Sequence, residues 1–278
     1  MNHFDTVTAI DLFPTDQARI AWQTVMPREA QTYPLLMHGI LAISAVHVSC
    51  LNESKAATHR IRALHHQNTA ILMYREALST MTKENAHALF GFSMILAILA
   101  FASPRLSETP PTVDDVLEKL NLMHGSMIVW QLEAESIKSS SMAALLPTMI
   151  ISQGSDIDPR IATGLDDLEA FVEEPVLVST VRLLRLCVGL AFAAPDEVPM
   201  SARWVAEAED GFWVRCREHD TKALLVLAHY ALVLRHYRQV WWLTGWSEVL
   251  VNAVGRAFSE DEKGLVGWSK KVDFLLQA

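Results

Sequence analysis

Fifteen consecutive residues, Tyr33-Pro34-Leu35-Leu36-Met37-His38-Gly39-Ile40-Leu41-Ala42-Ile43-Ser44-Ala45-Val46-His47, limit the possible folds of this chain more than any other stretch. They read as a helix that is apolar over most of its circumference and interrupted by two histidines. Such a helix has no polar face to offer water, so other elements must surround it. A second run, 88–102, carries no charge and is shorter than the roughly 20 residues that span a bilayer. Both are expected as core helices, and no membrane span is expected. Strand signals are confined to a brief alternation around Val176 to Val181, inside a longer helical spacing.

Hydrophobic periodicity predicts helices over 16–26, 34–52, 54–81, 83–102, 113–135, 141–151, 165–173, 175–193, 200–217, 220–240, 242–259 and 260–277. Two starts carry capping chemistry: Thr82 with Asn85, and Thr112 with Asp115 in the capping-box position. Segments 103–112 and 153–164 read as surface loops, neither long enough nor simple enough for a flexible linker. The expected fold class is all-α: one domain over 1–278, about 10–12 helices around an apolar pocket, with residue 155 as the place where two lobes would hinge.

Composition narrows the function. Net charge is −9 with only 23 Lys and Arg, which makes a poor phosphate-neutralising surface. No direct nucleic-acid binding is expected. Cys50, Cys187 and Cys216 are scattered with no CxxC pair, as in an intracellular protein with reduced thiols. The first residues show no basic segment followed by an apolar run, so the expected location is cytoplasmic or nuclear.

Motifs for chemistry are few. No metal site and no cofactor is expected, since HExxH, cysteine clusters, EF-hand loops and Gly-rich phosphate loops are all missing from the sequence. His59 and His66 share a helical face with His65 beside them, but two turns separate the rings, which suits structural or surface histidines. Asp114-Asp115-Val116-Leu117-Glu118 fits the loose DDxxE pattern that holds magnesium against a diphosphate. It opens a helix after Pro-Pro-Thr, and helix capping is the better reading. The last third is richer. Tyr230, Leu234, Tyr237 and Trp241 follow helical spacing that puts them on one face, with His229, Val233 and His236 as a neighbouring stripe. Trp204, Trp213, Trp242 and Trp246 add large rings. These residues form either a pocket wall for a lipophilic ligand or a filled core with its polar tips satisfied. His38 and His47, nine apart, point to opposite faces. Each is either a general base or a core histidine bonded to a carbonyl or hydroxyl.

Taken in order, these pieces resemble the C-terminal regulatory domain of fungal zinc-cluster transcription factors of the sterol-uptake control type. The matching residues are the 33–47 stretch, then His66-Gln67, Ala70, Tyr74-Arg75, Glu84-Asn85-Ala86, Ala88-Leu89-Phe90 and Phe92-Ser93. Leu122, Gly125, Ala223-Leu224, Ala228-His229-Tyr230-Ala231, Leu234, Trp241-Trp242-Leu243 and Gly245-Trp246 follow. The resemblance implies an all-helical domain with a deep hydrophobic pocket, which holds a sterol in the sterol-sensing relatives. It also implies a part in ligand response for the Gly245 region. Three cysteines cannot supply the six thiolates of the family's DNA-binding cluster. His124 stands where the family often has arginine, and Trp268-Ser269 where it often has Trp-Pro.

Two functions follow. In one, the chain binds a sterol, terpenoid or polyketide through His38, Tyr230, Leu234, Tyr237, Trp241, Trp242, Gly245 and Trp246, and signals by dimerising with or sequestering another factor. A homodimer is open on this reading. In the other, the pocket serves a cofactor-independent cyclase or isomerase, with His38, His47, His229, Tyr230 and Tyr237 as candidate catalytic groups.

Overall fold

The computed structural model describes residues 1–102, 109–146 and 157–277, apart from the side chains of 125–128 and 199–200. Among the described residues every regular element is helical, as the periodicity predicts. The chain divides into two compact units. The first comprises residues 1–102, 121–146 and 240–242, and the second comprises 109–120, 157–239 and 243–277. The expected hinge at residue 155 and the first six residues of the expected 103–112 loop lie outside the described residues. So does the predicted 141–151 helix beyond Leu146. Its start, Ser141–Leu145, is a tight 3-10 turn capped by the Ser140 side chain.

In the first unit, helical turns Phe4–Thr8 and Ala9–Asp11 lead into α1 (Asp16–Thr32), α2 (Pro34–Leu51), α3 (Ala56–Ser79) and α4 (Ala86–Ala102). The prediction ended the first of these helices at Met26, before Pro27. The helix instead runs through Pro27 to Thr32. Ala21, Trp22, Met26 and Ala30 are buried along one face, and their packing on both sides of the proline offsets its missing N–H. Pro34 occupies the first turn of α2, where a missing N–H costs nothing.

α2 and α4 are the core. Leu36, Ile40, Ala42 and Ile43 of α2 are fully buried, as are Leu89, Phe92 and Ile95 of α4. Gly39 lets the two helices approach. A Cβ there would lie 3.0 Å from Cδ1 of Ile95 and 3.1 Å from Cδ2 of Phe92. α2 is long and apolar enough to cross a membrane by length and composition, and so is Pro175–Ala193 of the second unit. Much of each is buried within its own unit, which is what a core helix requires.

α5 (Val113–Lys138) begins in the second unit and continues in the first. Its start is the expected box. The Thr112 backbone N–H donates to Asp115 at 2.7 Å, and the Asp115 N–H donates to the Thr112 hydroxyl at 3.2 Å. The Thr112 hydroxyl also donates to the Asp115 carboxylate at 2.7 Å, and this bond, with that from the Thr112 N–H, holds the carboxyl below its usual range. Asp114 faces His219 at 2.9 Å. Both aspartates of the DDxxE pattern therefore have local structural partners.

The second unit continues with α6 (Pro159–Val172), α7 (Pro175–Ala193), α8 (Arg203–Glu207), α9 (Asp210–Arg217), α10 (Thr221–His229), α11 (Ala231–His236), α12 (Trp246–Ala257), α13 (Glu260–Val266) and α14 (Trp268–Gln277). Part of the expected 153–164 loop is helix. Asp158 caps the Arg160 N–H at 2.8 Å and Pro159 takes the first turn, so α6 starts six residues earlier than the periodicity alone suggests. Three predicted helices are broken. The 200–217 helix parts at Ala208, which is extended, and the 260–277 helix parts at Gly267, with φ +62°. The 220–240 helix bends at Tyr230 and ends at His236.

Replacing Gly39 with valine should force α2 and α4 apart. Chemical denaturation should show a loss of about 1–3 kcal/mol, the usual cost of overpacking a filled core. An unchanged midpoint would show that Ile95 and Phe92 give way freely.

Candidate functional site

His38 and His47 do point to different surroundings, as their spacing requires. Nδ1 of His38 lies 3.0 Å from Nδ1 of His66 on α3, so one proton is shared between the two rings. His66 is held below the usual histidine value by burial, with His38 and His65 adding to the effect. His47 is buried among different partners. Its ring stacks on Trp241, with centroids 4.5 Å apart and planes inclined by 21°, and meets the His3 ring at 5.6 Å. Nε2 lies 3.6 Å from the Asp11 carboxylate, and Nδ1 lies 3.2 Å from the Thr8 hydroxyl. The carboxylate favours the proton on Nε2, so Nδ1 accepts from Thr8. Burial pushes the His47 pKa down to about 4 against the opposing pull of Asp11, and the ring is neutral near pH 7.

Around this ring the hydrogen bonding is incomplete. The Trp242 indole N–H donates to the Leu12 carbonyl at 3.1 Å. The neighbouring Trp241 Nε1 and the His3 Nε2 are buried and have no partner among the described residues. A buried donor or acceptor left unmade costs about 1–3 kcal/mol, so native chains carry few of them.

In the second unit the expected wall residues are buried and mostly engaged. The Tyr230 hydroxyl donates to the Ser201 carbonyl at 2.6 Å, and Tyr237 donates to the Glu197 carbonyl at 3.2 Å. Tyr230 stacks on Trp204, centroids 4.8 Å apart, and the Trp204 N–H donates to the Thr180 carbonyl. Burial raises both phenol pKa values far above their ordinary range. A phenol bonded to a backbone carbonyl and this hard to ionise is a weak candidate for proton transfer to a substrate. His229 is fully buried. Its Nδ1 donates to the Leu225 carbonyl at 2.7 Å, its Nε2 has no partner, and burial lowers its pKa to about 4. His236 Nε2 is likewise buried and unpaired, with its ring 5.1 Å from Phe192 and 5.2 Å from Tyr237.

The expected single face of Tyr230, Leu234, Tyr237 and Trp241 is not continuous. α11 stops at His236, and residues 240–242 belong to the first unit. Trp241 and Trp242 therefore join His38 and His47 in the first unit. His229, Tyr230, Leu234, Tyr237, Gly245 and Trp246 stand in the second, with Leu234 and Trp246 buried. Gly245 sits just before α12 with φ +83°, in the left-handed region that favours glycine, and has open space around its Cβ position. His3, Thr8, Asp11 and the pairing of His66 with His38 were not singled out by motif. Their only sequence signal is the clustering of polar residues in an N-terminal turn facing an apolar helix.

Comparison with known proteins agrees with this architecture. Residues 1–132 match the family described as the fungal specific transcription factor domain. Beyond that segment as well, the sequence is similar to fungal regulators. It is 26% identical, over 98% of its length, to Sterol uptake control protein 2 of Candida albicans. Against the protein of the same name from Saccharomyces cerevisiae it is 23% identical over 91% of its length. About half of the chain, 51%, is 27% identical to a Zn(2)-C6 fungal-type transcription factor of Aspergillus fumigatus. The chain spans 40%, 29% and 38% of these three relatives.

Two outcomes follow. Gly245→Ala places a Cβ on a left-handed residue and should lower stability by about 1–2 kcal/mol in denaturant titration, with Gly245→Asn milder. Acid should also destabilise the fold. The His47 and His229 pKa values are about 4 when folded, against the ordinary histidine value of 6.5, so the unfolded chain binds more protons between those values. Stability is then full above about pH 6.5 and lost as pH falls toward 4, by up to about 3 kcal/mol for each ring. His229→Leu should flatten that slope in melting curves recorded across pH.

Proposed function

We propose that this chain is a ligand-binding regulatory domain that takes up a lipophilic small molecule of the sterol or terpenoid class within its helical interior. The observation that carries the reading is the near-full-length similarity to proteins named for the control of sterol uptake. That alignment runs across both units, and each unit holds buried imidazole or indole nitrogens without partners in an otherwise apolar setting. Atoms of this kind suit a mostly hydrocarbon guest with one or two polar groups. The bound state would be passed on through another protein, in the nucleus or cytoplasm, with self-association as one route. The catalytic alternative gains nothing from the phenols of Tyr230 and Tyr237, which are already bonded to backbone carbonyls.

Native mass spectrometry of the purified chain, with and without added ergosterol, tests the reading. A one-to-one adduct that releases unchanged ergosterol is the expected result. An isomeric product formed without cofactor would replace binding by catalysis, and the absence of any adduct would remove the sterol from the proposal.

A further inference from the structure

The unpaired polar atoms differ in how easily a ligand can reach them. His229 Nε2 is sealed in the second unit by a fully buried ring. Trp241 Nε1 and His3 Nε2 instead belong to rings that both touch His47 in the first unit: Trp241 stacks on it and His3 meets it at 5.6 Å. Asp11, facing the same ring, is 49% exposed, so this cluster borders the surface.

The orientation of these atoms is fixed by ordinary packing. Trp241 is held by its stack on His47, and His47 is held by Thr8. Trp242 docks on the same N-terminal turn through Leu12 and packs its ring at 6.1 Å from Phe13. Two adjacent indoles thus lie at one turn, one with its N–H satisfied and one without.

We propose that Trp241 Nε1 and His3 Nε2 bind a hydroxyl group of the lipophilic ligand. This rests on the ligand-binding reading above and assigns the ligand's polar end. The chemistry narrows the group. An indole N–H can only donate, so the ligand atom must accept. A neutral imidazole offers a lone pair, so the same ligand atom should also donate. An ammonium group cannot accept from the indole. A carboxylate has no proton to donate to the imidazole lone pair. A hydroxyl meets both demands with one oxygen.

The test uses ergosterol and its 3-deoxy hydrocarbon on the full chain, with nitrogen-15 indole spectra and binding titrations. The Trp241 resonance is assigned by its loss in W241F, which keeps an aromatic ring for His47. Thermal melting confirms that W241F and a second variant, His3→Phe, remain folded. Ergosterol should move the Trp241 N–H resonance downfield while the deoxy compound leaves it in place. W241F should weaken ergosterol roughly tenfold, the order of one hydrogen bond, and leave the deoxy compound unaffected. His3→Phe should act in the same direction. If ergosterol binds and neither the resonance nor the variants respond, the site assignment is overturned while the ligand-binding reading stands. An N–H already at a hydrogen-bonded position and unmoved by sterol marks a trapped water and also overturns it. Binding of neither compound overturns both.

Discussion

The close approach at Gly39 is the contact on which the first unit depends. α2 has almost no polar surface, so it folds only if neighbours cover it on several sides. α3 covers most of its length, and α4, equally apolar, closes on another side, where the side chains mesh because position 39 has none. Interiors are packed like organic crystals, so a helix pair meshed this way also fixes what lies at its ends. His47, two turns along from Gly39, is delivered to the N-terminal turn by the same geometry, and His38 to α3. The chemistry of the first unit follows from how one greasy helix is buried.

The two units handle buried polar groups in a common manner. Long aromatic side chains reach backbone carbonyls: Tyr230 to Ser201, Tyr237 to Glu197, Trp204 to Thr180, Trp242 to Leu12. Each bond ties a helix to a loop or helix distant in sequence, and each fixes a ring that fills space. His47 is neutral because burial outweighs the pull of Asp11, and His229 because burial leaves its ring without a counter-charge. This makes the interior a set of oriented dipoles with no fixed charge, an environment compatible with a hydrocarbon guest.

Much of the helical layout was legible in the sequence, because long amphipathic or wholly apolar runs declare their period. Pro175–Ala193 was read with its ends in place, since Pro175 opens it and Pro195 follows it. Local signals mislead where they compete with tertiary packing. Pro27 reads as a stop, and only the buried face around it keeps the helix going. The 220–240 run keeps a helical pattern through Tyr230 and Tyr237, yet the phenols reach back to residues 201 and 197 and the backbone bends at those points. Trp241 lies beyond the end of that helix, in residues assigned to the first unit. Site residues were legible as types but not as groups. Nothing in local spacing joins His3 to His47, or His38 to His66, because those pairings are set by how helices dock.

The three residues 240–242 have a practical consequence. They lie far along the chain from the N-terminal turn, yet the Leu12 carbonyl accepts from the Trp242 indole and the rings of Phe13 and Phe101 pack on its edge. A fragment cut after residue 146 would lack that indole, so the first unit cannot be excised as one uninterrupted piece with its hydrogen bonds complete. Deletion mapping that stops upstream of residue 240 would remove a structural clasp along with whatever function it set out to locate.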